Sequence, residues 1–207
     1  MKQGHFYFVK DEFYNRFNDP GLVYNKGNQH NRPCFFAFKD NKSDILFWLI
    51  PISSKVDKYK KIVNNKIQHQ KSRNNKHPKC NTIVFGRVRG RSAAFLIQNM
   101  FPVTEEYIKE QYIDKTTNAP IRVTNNLEKD IIRNARQVIS LYRKGHQRLL
   151  FADIGAIEKA LTNDHIRKES ALPKKTWCEK TLQSAQKLAD AHNLNNDMPE
   201  IDDDGSR

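Results

Sequence analysis

Apolar residues along this chain cluster first at strand period and later at helical period. The longest unbroken apolar run is Ile45–Ile52, rich in Ile, Phe and Trp. A run of this length and composition predicts a central strand buried on both faces. Pro51 lacks an N–H, so regular pairing should loosen there. Ser53 and Ser54 follow, and either could cap a helix over roughly Ser54–His69, where Val56, Tyr59, Val63 and Ile67 recur at helical spacing. Upstream, His5–Val9 reads as a short aromatic strand. Asp11–Asn18 reads as a short helix with Phe13 and Phe17 on one face. Asn18–Gly21 reads as a turn, Gly21–Asn31 as a polar loop and Pro33–Phe38 as a strand. The polar stretch Asp40–Asp44 turns this last strand back into Ile45–Ile52 as a hairpin.

Downstream, Thr82–Val88 and Ala93–Gln98 read as strands on either side of a basic turn. Pro102 should break the second, and Thr104-Glu-Glu-Tyr107 should open a helix. Thr124–Lys144 is the clearest helix. Leu127, Ile131, Val138 and Tyr142 form its stripe, Asn125 with Glu128 is a capping pair, and Gly145 is the C′ residue. Phe151–Leu161 predicts a shorter helix. Strands first and helices later argue for an α+β fold with an antiparallel sheet. The pattern changes after Thr162. Residues 1–161 read as one domain, 162–192 as a helical extension with its helix over Lys175–His192, and 193–207 as an acidic, unstructured tail.

Composition narrows the function classes. Lys and Arg number 36 against 23 Asp and Glu, a formal charge of +13. Such an excess favours a polyanionic partner, nucleic acid before membrane. No stretch is long and apolar enough to span a bilayer, and the N-terminus has no secretory apolar core. Cys34, Cys80 and Cys178 are too few and too scattered for a disulfide framework or a zinc knuckle. A reducing, cytoplasmic setting is the expectation. Neither a dinucleotide-binding glycine pattern nor a P-loop occurs, and no Asp/Glu/His cluster has metal-ligand spacing. No metal and no cofactor are expected.

The candidate chemistry sits where the central strand meets its helix. Ser53, Ser54 and Lys55 stand at a helix N-terminus, whose N–H donors and dipole suit a phosphate. Lys58, Lys60 and Lys61 follow. The Asn-rich stretch Gln70–Lys79 carries Lys71, Arg73, Lys76, His77 and Lys79, as a solvated insertion or a phosphate-binding arm. Gly86 and Gly90 bracket Arg87, Arg89 and Arg91. Gln98 and Asn99, at a strand end, could read a base edge or satisfy a turn.

Taken together, several stretches resemble one family. They are the aromatic N-terminal strand, Arg32-Pro33 opening an apolar strand, Ile50-Pro-Ile-Ser-Ser-Lys55, and Phe95-Leu-Ile-Gln-Asn-Met-Phe-Pro102 before a threonine. The chain is similar over roughly Lys2–Leu161 to the toxins of type III toxin–antitoxin systems, closest to the CptN/TenpN branch and more distantly ToxN and AbiQ. The resemblance implies a compact, twisted antiparallel sheet surrounded by helices, related to the MazF/Kid fold. It implies a metal-independent endoribonuclease and an antitoxin that is a small pseudoknot-like RNA, cut by the toxin from a precursor, in phage defence by abortive infection. The family's hydroxyl pair falls on Ser53 and Ser54. ToxN-like members have one residue between the second hydroxyl and the lysine, so Lys55 and Lys58 are both candidates for the lysine. The family's aromatic or polar residue before Arg-Pro falls near His30, which is the candidate proton-transfer group. Arg32 falls at the basic position, and Tyr7 or Tyr14 at the N-terminal tyrosine. Two other readings fit the composition: a basic RNA- or DNA-binding module without catalysis, and a MazF-like RNase toxin with a protein antitoxin.

Overall fold

A computed structural model of the chain describes residues 1–23 and 32–171. Its contacts divide the chain into two units, Met1–Asp164 and His165–Arg207. Seven strands and four α-helices make up the described residues. They are β1 (Phe6–Val9), α1 (Asp11–Phe17), β2 (Cys34–Lys39), β3 (Phe47–Ser53), α2 (Val56–Ser72), β4 (Val84–Val88), β5 (Arg91–Phe95), β6 (Phe101–Val103), β7 (Ile108–Gln111), α3 (Asn125–Arg143) and α4 (Ile154–Ala171). Every strand pairing is antiparallel, in the order β4-β5-β3-β2-β1-β7, with β6 also on β3. The fold is therefore α+β, as the strand-then-helix pattern predicts.

The sheet is built outward from β3. Trp48, Leu49 and Ile50 are wholly buried. One edge of β3 pairs with β2 from Phe47↔Lys39 to Pro51↔Cys34, with a bulge at Ala37 that adds local twist. The other edge is shared. Phe47–Leu49 pair with β6, and Ile52–Ser53 pair with β5. The ladder on that edge lapses at Ile50 and Pro51, where Pro51 has no N–H to donate and its carbonyl accepts from Leu96 N instead (2.9 Å). A 3-10 turn at Ile97–Asn99 carries the chain past the gap. β5 divides the interior by its pleat: Ala93 and Phe95 join the main core, whereas Ala94 and Leu96 join a smaller cluster with Ile83. Tyr59, Ile62 and Val63 of α2 cover that smaller cluster. α3 buries Ile131, Ala135, Val138 and Ile139 in the main core. Gly86 lets α3 close on β4, because a Cβ there would stand 2.2 Å from Leu127 Cδ2.

Several local expectations give way to tertiary pairing. Ser53 and Ser54 do not cap α2 through the helix N-cap position. Ser53 remains in β3 opposite Ala94, and Lys55 is the N-cap residue. Pro102 does not end a strand. It lies within β6, which has no strand beyond it to need the missing N–H. Thr104–Tyr107 yields one 3-10 turn at Glu105–Tyr107, and the chain then extends into β7, paired with β1. β5 stops at Phe95, so Gln98 and Asn99 belong to the 3-10 turn. Thr124, not Asn125, is the N-cap residue of α3, and Glu128 pairs with Arg122 at 3.5 Å. α4 begins three residues later than expected and runs through Thr162 to Ala171. The expected Lys175–His192 helix and the 193–207 tail lie outside the described residues.

A buried charge ties the hairpin to the helices. The Asp40 carboxylate, 1 % exposed, accepts the Trp48 indole N–H (2.6 Å), the Lys42 N–H (2.6 Å) and an Arg143 N–H (2.5 Å). Arg143 also pairs with Glu158 of α4 at 3.3 Å. Asp40→Ala leaves the indole N–H and the guanidinium without their acceptor, and should cost about 3 kcal/mol, read from denaturant midpoints. His5 is buried beside β7, where Gln111 Nε2 lies 2.7 Å from its Nδ1. Burial, then the Arg122 and Lys2 charges, hold its pKa below the usual 6.5. The folded chain therefore binds this proton less readily than the unfolded chain. Stability from His5 is complete above about pH 6.5 and falls away as pH drops below it. His5→Gln should flatten that acid-side loss in melts between about pH 5 and 7.5.

Candidate functional site

The C-terminal end of β3 turns sharply before α2 begins. Ser53 is buried, and its Oγ accepts the Lys55 N–H at 3.2 Å, closing the turn. Ser54 is exposed, and its carbonyl accepts the Val56 N–H at 2.8 Å. The two serines therefore differ in kind. Ser53 holds the corner, whereas Ser54 presents a hydroxyl to solvent.

That hydroxyl faces a cleft of about 340 Å³, lined by Pro33, Ile52, Ser53, Ser54, Val88, Arg89, Arg91, Ser92, Ala93 and Tyr112. The cleft is assembled from distant parts of the sequence. β3 supplies the floor and the serines. The β4–β5 hairpin supplies the arginines. Residues just past β7 supply Tyr112. The hairpin turns through Arg89 (φ +51°) and Gly90 (φ +75°), with Val88 paired to Arg91 on either side. Two left-handed residues make the tight turn that matches strand twist, and glycine suits the second place. Arginine at the first is strained. Its guanidinium is fastened to the Asp114 carboxylate at 2.7 Å and lies 3.4 Å from the Tyr112 hydroxyl. The N–H groups of Thr116 and Thr117, with the Arg89 charge, keep Asp114 below the usual carboxylate range.

The other residues singled out from sequence fall in several places. Lys55 and Lys58 are exposed at the start of α2 and are not among the cleft-lining residues. Lys58 lies over the Tyr59 ring at 5.8 Å, and Lys60 pairs with Asp57 at 3.5 Å. Lys61 is exposed on α2 and Arg87 on β4. Arg32 precedes β2, where its charge acts on Cys34 and Tyr14. Cys34 is buried, and desolvation pushes its thiol up to about 12. Tyr7 and Tyr14 are both in the core, the Tyr7 hydroxyl accepting the Lys2 N–H at 2.7 Å. Gln98 and Asn99 are buried. Gln98 Oε1 accepts from Lys66 Nζ (2.7 Å), and Asn99 Nδ2 donates to the Gly21 carbonyl (2.9 Å). Both side chains are thus engaged in holding the chain. His30 lies outside the described residues.

The basic loop is closed rather than open. Gln70 donates to the Lys79 carbonyl and accepts the Lys79 N–H, both at 2.9 Å. Its own carbonyl takes the Asn75 N–H at 3.1 Å. Lys71, Arg73, Lys76, His77 and Lys79 all remain exposed around this clasp. A second hollow, of about 450 Å³, lies beside Asp40 and the C-terminal half of α3. There Arg143 pairs with Asp40 and with Glu158 of α4, Arg136 lies over the Phe38 ring at 5.0 Å, and Lys42 and Lys144 also line the hollow. Among the described residues, no three His, Cys, Asp or Glu side chains are grouped so as to hold a metal ion. No described helix is long and apolar enough to cross a membrane.

Sequence reasoning missed Tyr112, Ser92 and Asp114. Nothing local marks them, since they join the site only once the hairpin reaches the far end of the sheet.

No protein-family model matches the chain, and a search of curated proteins finds no match. Solved structures do match. AbiQ, a lactococcal anti-phage endoribonuclease belonging to the type III toxin–antitoxin system, superposes with a TM-score of 0.53 at 18 % identity, covering 79 % of this chain and 99 % of that one. A structure from a bacterial type III system, in which a non-coding RNA pseudoknot selectively inhibits the toxin, aligns at a TM-score of 0.37 and 16 % identity, covering 95 % and 100 %. The second likeness is too distant to carry weight. The first places this chain in the fold of the type III toxin AbiQ.

Proposed function

We propose that this chain is a metal-independent endoribonuclease toxin of a type III toxin–antitoxin system, restrained by a small pseudoknot-like RNA that it cuts from a precursor. The observation that carries this reading is the meeting of Ser54 with Arg89 and Arg91 across one cleft, on a fold shared with an anti-phage endoribonuclease. RNA brings its own nucleophile. The 2′-oxygen attacks the adjacent phosphorus and the 5′-oxygen departs, leaving a 2′,3′-cyclic phosphate and a 5′-hydroxyl. A proton leaves the 2′-hydroxyl and another reaches the 5′-oxygen. The protein must align these atoms and offset charge on the phosphate, which together supply much of such a rate enhancement. Ser54 would hydrogen-bond the phosphate or the 2′-hydroxyl. It is too weak an acid to serve unaided as the base. Arg89 and Arg91 offset the charge, with Lys55 or Lys58 entering from the rim. His30 is the candidate for proton transfer, because histidine as a residue type exchanges protons near neutral pH. The exposed cations around the Gln70 clasp would hold the antitoxin backbone, and the setting would be the cytoplasm.

Pure protein incubated with RNA in EDTA should yield cyclic-phosphate ends, and Ser54→Ala should abolish them. Ser54 makes no side-chain hydrogen bond that closes the turn, so its loss should move the melting temperature little. Ser53→Ala, which removes the acceptor of the Lys55 N–H, should instead cost about 1 kcal/mol. RNA left intact by the wild type would point to a non-catalytic binder. A co-purifying small RNA sensitive to RNase would identify the antitoxin, whereas a co-purifying protein would point to the MazF-like arrangement. Reversing the charges of Lys71, Arg73, Lys76 and Lys79 should weaken binding of that RNA. It should also flatten the salt dependence, by about one in slope for each phosphate no longer neutralised. An unchanged slope would leave the loop as an insertion.

A further inference from the structure

β4 and β7 stand at opposite ends of the strand order, yet the turn after β4 touches the chain just past β7. The serine pair does not require this contact. The residues that make it are each fixed independently. The Tyr112 N–H donates to Phe6 O at 2.8 Å, its carbonyl accepts Ile121 N–H at 3.1 Å, and its ring meets Phe8 edge-on at 5.4 Å. Asp114 accepts the N–H groups of Thr116 (2.9 Å) and Thr117 (3.3 Å) and is aimed at Arg89. Arg89 is held in a left-handed conformation that arginine seldom adopts. A strained residue braced on two sides, at the wall of a cleft, points to use.

We propose that Tyr112, with Arg89 beside it, forms a subsite for the unpaired nucleobase next to the phosphate that is cut, and that Asp114 is the positioning residue of that subsite. The proposal rests on the endoribonuclease reading and names its substrate as single-stranded RNA. Unpaired bases are recognised by stacking on aromatic rings and on guanidinium planes, whereas a duplex keeps its bases out of reach of such a wall. Ser54 and Tyr112 line the same cleft, so a base on Tyr112 would bring its neighbouring linkage towards the serine corner. An aromatic platform tolerates any base, and Arg89 adds donors that can favour one base edge over another.

The test uses the full chain and short single-stranded RNA oligonucleotides, intact or abasic at the nucleotide on either side of the cut. Wild type should cut the intact RNA with a KM roughly ten- to hundredfold below that for one of the two abasic RNAs. Tyr112→Ala should raise KM for the intact RNA by a similar factor and leave the abasic RNA nearly unchanged. Tyr112→Trp should restore most of the loss. Asp114→Asn should shift KM in the same direction and relax the choice of cleavage position. Equal losses on intact and abasic RNA, or no loss at all, would overturn the subsite. If Tyr112→Ala does not fold, the wild-type comparison and Asp114→Asn decide alone, and wild type that cuts abasic RNA as well as intact RNA rejects the proposal. Wild type that cuts neither RNA removes the endoribonuclease reading itself, and the subsite with it.

Discussion

The whole arrangement depends on burying β3 on both faces. A strand with Trp48, Leu49 and Ile50 fully enclosed cannot slip by one residue, because each slip would exchange the residues facing each side. That fixes where the strand ends, and therefore where Ser53 closes the corner and Ser54 comes to the surface. It also sets a demand at Pro51. A proline in a central strand must face an edge where its missing N–H does no harm. Here the neighbouring chain leaves the ladder at that point, makes a 3-10 turn and rejoins as a different strand.

Dividing one edge between β5 and β6 has a second effect. β5 is freed to continue with β4 as a two-stranded hairpin past the end of β3. The arginine-rich tip of that hairpin then reaches the loop after β7. The cleft is the space enclosed by that reach. Its charge comes from Arg89 and Arg91, and its hydroxyl from the end of β3. The serine corner and the basic wall are thus set by one and the same interruption of the sheet.

How much of this could be read from the chain alone follows the range of the forces involved. The β2–β3 hairpin, α1 and α3 were legible because their apolar periodicity is local and long. The serine corner was legible because a buried run stops there abruptly. Helix caps and the strands β6 and β7 were not. Thr104-Glu-Glu-Tyr107 carries a helix-start pattern, but Ile108–Gln111 is drawn into pairing with β1. Ser53 could cap, but its pairing with Ala94 keeps it extended. α4 continues past Leu161 over mostly exposed residues, where no buried stripe exists to mark it. Gln98 and Asn99 look like readers of bases and are instead internal fasteners. Tyr112 and Asp114 were invisible because only the folded sheet brings the β4–β5 turn to them.

The Gln70 clasp has a consequence for how a polyanion would be received. Five cationic or titratable side chains stand on a segment whose ends are already joined by paired amide hydrogen bonds. A floppy arm would surrender much of its freedom on meeting a phosphate chain, and that loss would be subtracted from its grip. Here hydrogen bonds from Gln70 to Lys79 and Asn75 already hold part of the main chain in place. Any anion that met the loop would have mainly side chains left to order.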